Sequence, residues 1–171
     1  MTADRSERPS GRPLYIFDLD GTLALIEHRR HHVEGPKKDW RAFFAACVDD
    51  KPNWPVIRTL QALRKSGAEV WIWSGRSDEV KAETVAWLQR HGCFGFPTDA
   101  LWAWPFGAPE RFRMRKAGDH QDDVSLKAGW IAEMEPPEWD RLTAVFDDRA
   151  RVVQMWRDAG VPCFQVAPGE F

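Results

Sequence analysis

Short apolar runs of strand length recur along the chain, at 14–17 (LYIF), 68–73 (AEVWIW), 100–104 (ALWAW), 143–146 (TAVF) and 162–166 (PCFQV), and helical patterns lie between them. Strands separated by helices must be joined by crossover connections, which make neighbouring strands parallel and lay helices over the sheet. In PVIRTLQALRKSG, Val56, Leu60 and Leu63 share one face and Gly67 ends the run; in SDEVKAETVAWLQRHG, Ser77 is placed to cap and Gly92 to stop; RARVVQMWRDAG closes at Gly160. The predicted fold is therefore α/β, a doubly wound, mostly parallel sheet with helices on both faces. The stretch 94–123 is the least regular, rich in Pro, Gly and aromatics before turning basic and then acidic, and the run at 100–104 is the one strand assigned there.

At 171 residues the chain is long enough for one domain with a sizeable core and too short for two ordinary ones. The opening MTADRSERPSGRP is polar, so residues 1–12 are expected to be a disordered tail and 13–171 the domain, with 24–52 a small helical insertion after the first strand that carries the amphipathic KKDWRAFFAACV. No apolar run approaches the roughly 20 residues of a membrane span, and the expectation is a cytoplasmic protein. Formal net charge is −2, so any contact with nucleic acid has to be local. Cys47, Cys93 and Cys163 form no CxxC and the histidines no zinc motif, which leaves reduced, packed thiols as the expectation.

Three of the strand-like runs end in polar residues: Asp18 and Asp20 after YIF, Ser74 after VWIW, and Asp147 and Asp148 after TAVF. In an open parallel sheet the carboxyl ends of the strands lie along one edge, so these groups converge. Residues i and i+2 of an extended chain face the same side, which points Asp18 and Asp20 into one space. Carboxylates gathered this closely raise one another's pKa values unless a cation holds them, and a hard divalent ion, Mg²⁺, suits an all-oxygen set. Ser74 beside Gly75, whose bare backbone lets an anion approach, and Lys127 near the start of DDVSLKAGWIAEM complement phosphate. A carboxylate nucleophile, a second carboxyl for proton transfer, a divalent ion and a Ser/Lys cradle are the parts of phosphoryl transfer through an aspartyl-phosphate.

DLDGT, SGR, Lys127 and the DD pair at 147–148 stand in the order in which they occur in the haloacid dehalogenase superfamily of phosphohydrolases, which the chain resembles. SGR, RKAGDHQDDVSLK and VFDDRARVVQMWRDAGVPCFQVAPGEF further resemble the 3′-phosphatase domain of bacteriophage-type polynucleotide kinase-phosphatases, over roughly residues 14–171. The resemblance implies Asp18 as nucleophile and Asp20 as general acid and then base. It implies Ser74, Gly75, Thr22 and Lys127 around the phosphate, and Mg²⁺ held by Asp18, Asp147, Asp148 and the backbone carbonyl of Asp20. Arg29, Arg76 and Arg115 would contact the phosphate or the nucleic-acid backbone. No GxxxxGK[ST] loop occurs in the chain, so the family's kinase activity is not carried over.

The implied substrates are nucleic-acid ends, DNA or RNA, bearing a 3′-phosphate. The alternative is a nucleotidase acting on free nucleoside monophosphates or another small phosphomonoester. The oligomeric state, a homo-oligomer included, stays open. Lys116 competes with Lys127 for the phosphate site, and Arg29, Arg30, His31 and Arg115 are either substrate contacts or solvated surface. Of the ten tryptophans, Trp71, Trp73, Trp87, Trp130 and Trp156 read as core, whereas Trp40, Trp102 and Trp104 are candidates for stacking on bases.

Overall fold

The structure, a computed structural model, describes residues 11–93 and 111–169. Its five-stranded sheet is built from β1 (Leu14–Phe17), β4 (Glu69–Ser77), β5 (Phe112–Arg115), β6 (Leu142–Asp147) and β7 (Cys163–Gln165), in the order β5-β4-β1-β6-β7. Every neighbouring pair in it is parallel. Two further strands, β2 (Ala24–Leu25) and β3 (Lys51–Pro52), pair antiparallel and close the base of the insertion. The helices are α1 (Trp40–Ala45), α2 (Trp54–Lys65), α3 (Lys81–Arg90), α4 (Asp123–Ala132), α5 (Pro136–Arg141) and α6 (Ala150–Asp158), with a 3-10 turn over Glu27–His32. The doubly wound α/β expectation and the small helical insertion are both realised; the strand expected at 100–104, Trp102 and Trp104, and the tail residues 1–10 lie outside the described residues.

Alternation along β1 sorts the core into two layers. Leu14 and Ile16 point to the face covered by α4 and α6, packing with Trp71, Trp73, Val145, Val152, Val153 and Trp156. Phe17 points the other way, to Ile57 and Leu60 of α2 and Trp87 and Leu88 of α3. Helices therefore cover both faces. Trp71, Trp73, Trp87 and Trp156 are each at most 2% exposed, so these indoles serve packing. Truncating one to alanine would cost about 3–5 kcal/mol.

Two local departures from the sequence reading place the site. The SGR stretch, expected beyond the end of the strand at residue 73, is part of β4, which runs to Ser77. Opposite β5, Ser74 pairs with Met114 and Ser77 with Arg115, so Gly75 and Arg76 are extra residues on β4. Such a bulge re-aims side chains, and here it turns Arg76 toward the end of β1. The edge strand β5 lies in the basic part of 94–123, outside the one strand expected there; its arginines hide a strand that buries Phe112. No helix among the described residues is long and apolar enough to cross a membrane.

Candidate active site

The chain leaves β1 into a tight turn in which the amides of Thr22, Leu23 and Ala24 all donate to the carbonyl of Leu19. Gly21 makes this turn possible: its φ is +84°, and a Cβ there would sit 2.1 Å from Asp148 Oδ2. Asp18 is fixed at the tip of β1 by its amide, which donates to Phe146 O of β6 at 2.9 Å. Asp147 ends β6, its Oδ1 accepting from the amide of Arg149 at 3.1 Å. Asp18, Asp147 and Asp148 are all buried, and one oxygen from each lies within 4.8 Å of the others. The convergence expected of the strand tips is thus present at these three positions.

Lys127, one turn into α4, lies between them. Its Nζ donates to Asp18 Oδ1 at 2.6 Å and to Asp147 Oδ2 at 2.7 Å, and the residue is 3% exposed. Lys116, the rival, is an exposed turn residue. Burial alone would depress the Lys127 amine, but Asp147 and Asp18 outweigh it and hold the pKa above its usual value. The carboxylates remain under-compensated. Burial, reinforced by Asp147 and Asp148, raises Asp18 well above the usual range despite Lys127. Burial and Asp147 push Asp148 up to about 6. Three hard oxygen donors within reach of one point, two of them reluctant to ionise, fit a divalent cation such as Mg²⁺.

Asp20 faces a different environment. Arg29 Nη2 donates to Asp20 Oδ1 at 2.8 Å, and Arg76 reaches the same oxygen through Nε at 3.1 Å and through Nη2. Burial would raise Asp20, yet Arg76 and Arg29 prevail and hold its pKa at about 2. The resting carboxyl is therefore ionised, suited at once to accept a proton from water. Acting as an acid would require the arginines to turn part of their charge toward an arriving phosphate.

The residue that organises both arginines is unmarked in the sequence. Asp50, at the end of the insertion, accepts from Arg29 Nε at 2.6 Å, Arg29 Nη2 at 2.7 Å and Arg76 Nη2 at 2.7 Å. His28 Nε2 lies 2.9 Å from Asp50 Oδ1. The Asp50 side chain is 0% exposed. One of two adjacent aspartates in the stretch VDDKPNW, it carries no periodicity from which this could be read.

Ser74 is fully buried and its Oγ accepts from the Arg76 amide at 3.2 Å, inside the bulge. Thr22 is fully buried too, with its hydroxyl 3.4 Å from Asp148 Oδ1, an orientation that steadies the carboxylate. Gly75 is needed for a reason besides anion approach: a Cβ there would lie 2.5 Å from Asp123 Oδ1. Asp123 is a second residue absent from the sequence reading. It receives Arg115 and Arg149, and its signal was available, since it stands four residues before Lys127 on the same helix face. Arg115 is placed differently from Arg29 and Arg76. Its Nε donates to Gly75 O at 2.8 Å, Nη1 to Gln121 O at 2.6 Å and Nη2 to Asp123 Oδ1, so it braces the loop beside the site. Arg30 pairs with Glu34 at 3.0 Å on the surface, and His31 is exposed. The three cysteines are buried free thiols, and burial pushes Cys93 and Cys163 up to about 12, so they are inert here.

A parallel α/β sheet whose strand tips join an acidic triad to a buried lysine defines a phosphomonoester hydrolase of the haloacid dehalogenase type. The fold is shared with solved structures: a class C acid phosphatase from Bacillus anthracis aligns with a TM-score of 0.61 over 94% of this chain and 68% of its own, at 14% identity. A putative phosphatase from Clostridium difficile aligns at 0.53, with 15% identity, over 89% and 83%. The family model of the polynucleotide kinase PNKP phosphatase domain matches residues 12–171. The chain belongs to that family. Chains from two structures of a Pnkp1/Rnl/Hen1 complex, one described as an RNA repair complex, align with TM-scores of 0.73 and 0.70 at 25% and 26% identity. Each alignment covers 97% of this chain but 46% and 50% of the other, so the chain spans about half their length.

Proposed function

We propose that this chain is a Mg²⁺-dependent polynucleotide 3′-phosphatase, removing the terminal 3′-phosphate from DNA or RNA through an aspartyl-phosphate on Asp18. The observation that carries the chemistry is Asp18 at the focus of Lys127, Asp147 and Asp148, with Asp20 two residues away under two arginines. The polynucleotide substrate is supported by the family match over 12–171 and by the likeness to chains of an RNA repair complex.

Asp18, Asp147, Asp148 and the backbone carbonyl of Asp20 would hold the ion, which supplies positive charge to the carboxylates and to a phosphoryl oxygen. Lys127 keeps Asp18 oriented and offsets the negative charge that would repel the phosphate. The Asp18 carboxylate forms the bond to phosphorus while the 3′-oxygen leaves with a proton from Asp20. Phosphate oxygens draw on Arg29 and Arg76, which loosens their hold on Asp20 and lets its pKa rise toward the value an acid needs. In the second half, ionised Asp20 takes a proton from water as the water attacks the phospho-Asp18. Ser74 and Gly75 line the phosphate side.

The test is turnover of a panel comprising a 3′-phosphorylated oligodeoxynucleotide, its RNA counterpart, a 5′-phosphorylated oligonucleotide and 3′- and 5′-mononucleotides, each with and without Mg²⁺. Preference for the 3′-phosphorylated ends, lost on chelation, is expected. Preference for a free mononucleotide would replace this reading with nucleotidase activity.

A further inference from the structure

Outside the chemical centre, the insertion carries an exposed aromatic strip. Trp40, Phe44 and Val48 recur at intervals of four residues through α1 and the turn after it; Trp40 is 48% and Val48 44% exposed, and Phe44 is half-buried. Trp40 and Phe44 are stacked, with ring centroids 6.0 Å apart and planes 28° from parallel. A chain that hides Trp71, Trp73, Trp87 and Trp156 at 2% exposure or less leaves Trp40 about half exposed.

The strip is joined to the reaction centre. Trp40 meets the Phe43 ring edge-on at 5.8 Å; the Arg29 guanidinium sits 4.2 Å from the centroid of the same Phe43 ring; and Arg29 reaches Asp20 at 2.8 Å. The surroundings are cationic although the whole chain has a net charge of −2. Lys37, Lys38 and Arg41 are exposed beside Trp40, and Lys38 Nζ lies 5.6 Å from the indole centroid. Asp39, the acidic residue among them, is engaged in capping α1 through Ala42 N at 2.9 Å. A flat aromatic surface flanked by cations and linked to the reaction centre through the buried Phe43 and Arg29 matches one ligand chemistry, the bases and backbone of a single-stranded nucleic acid.

We infer that Trp40, backed by Phe44, is a stacking platform for a base upstream of the 3′-phosphorylated terminal nucleotide, with Lys37, Lys38 and Arg41 as contacts for the backbone. This rests on the polynucleotide reading and deepens it: the insertion acts as a clamp for a polymer end. Stacking is sequence-tolerant, because every base has a π-face, so the platform would serve repair of ends of any sequence. It would add to kcat/KM for oligonucleotides and contribute little for a single nucleotide, whose one base lies at the site itself.

The experiment compares kcat/KM for a single-stranded 3′-phosphorylated decanucleotide and for a 3′-mononucleotide in the wild type, W40A, W40F and K37A/K38A, at two salt concentrations. W40A is expected to lower the decanucleotide-to-mononucleotide ratio roughly tenfold through KM, W40F to retain most of it, and K37A/K38A to flatten the salt dependence. An unaltered ratio in W40A, with the wild type still preferring the decanucleotide, overturns the platform and leaves the polynucleotide reading standing. Equal losses on both substrates mean that Trp40 only props Phe43 against Arg29, and also overturn it. A wild type preferring the mononucleotide defeats both. A dimer of the wild type that W40A dissociates, with kinetics unaltered, assigns the strip to self-association instead.

Discussion

Replacing Asp50 tests the arrangement of the arginines directly. Its carboxylate accepts three guanidinium hydrogen bonds of 2.6–2.7 Å from Arg29 and Arg76, both fully buried side chains. In Asp50→Asn one oxygen survives but the amide group points N–H toward N–H, and two buried cations are left to share Asp20. Breaking a buried ion pair from one side costs about 3–5 kcal/mol. With a total stability of about 5–15 kcal/mol, this is a large fraction of the whole. For a urea dependence of about 2 kcal/mol per molar, the unfolding midpoint should fall by roughly 2 M. Turnover assayed at a temperature where the variant stays folded should drop at least tenfold, because Arg29 and Arg76 lose the partner that aims them at Asp20. Asp50→Glu should recover part of the stability. A midpoint within about 0.5 M of the wild type would show that the arginines do not depend on Asp50, and the account of how Asp20 is tuned would fall with it.

Asp18→Asn should abolish phosphate release yet leave the urea midpoint unlowered, since it removes a carboxyl that burial already disfavours in its charged form; retained turnover would dismiss the assigned nucleophile. Gly21→Ala should cost roughly 1–3 kcal/mol in urea unfolding and most of the activity, because the methyl group must occupy the position of Asp148 Oδ2 in a turn with φ of +84°, and wild-type-like kinetics would contradict this. Asp148, raised from 3.8 to about 6, destabilises the metal-free fold by about 3 kcal/mol when ionised, so its penalty is present above pH 6 and is relieved as pH falls from 6 toward 4. Mg²⁺ competes with that proton, so the rise in Tm on adding Mg²⁺ should be clear at pH 7.5 and much smaller at pH 5; a pH-independent rise would oppose the assignment. Asp20, held at about 2, behaves oppositely: its stabilisation is present above about pH 4 and is lost as pH falls toward 2.

What the sequence disclosed and what it concealed divide along physical lines. β1, β6 and the helices α2, α3 and α6 are continuous apolar runs or clear 3.6-residue periods with glycine stops, and these are signals local to their own residues. The convergence of Asp18, Asp147 and Asp148 followed from sheet topology once the strands were parallel. β5 was hidden because an edge strand tolerates Arg113 and Arg115 at positions where a central one would carry apolar residues. The extension of β4 through Ser77 was hidden because a bulge at Gly75 and Arg76 looks, in sequence, like a turn. Asp50 could not be ranked above other acidic residues, because its role is set by arginines 21 and 26 residues away, whereas Asp123 carried the one local mark of standing four residues before Lys127.

On the proposed reading, the charges around the site require the cation to bind before the phosphate. Asp18, Asp147 and Asp148, when ionised, outnumber Lys127, and Arg149 beside them is shared with Asp123, so this half of the site carries a negative excess, while Asp20 and Asp50 are balanced by Arg29 and Arg76. A phosphate dianion approaching the metal-free site therefore meets an excess of its own sign at the nucleophile, in surroundings where burial weakens screening. One divalent cation cancels that excess, and the arginines can then turn toward phosphate without leaving the carboxylates of the other half bare. Inorganic phosphate should accordingly show no heat of binding in EDTA and measurable binding once Mg²⁺ is present. In Lys127→Met the requirement should sharpen, because the local excess grows by one unit. Phosphate binding of equal strength with and without the metal would mean that the guanidinium half alone captures the anion, and that the acidic triad has some other task than preparing Asp18 to receive it.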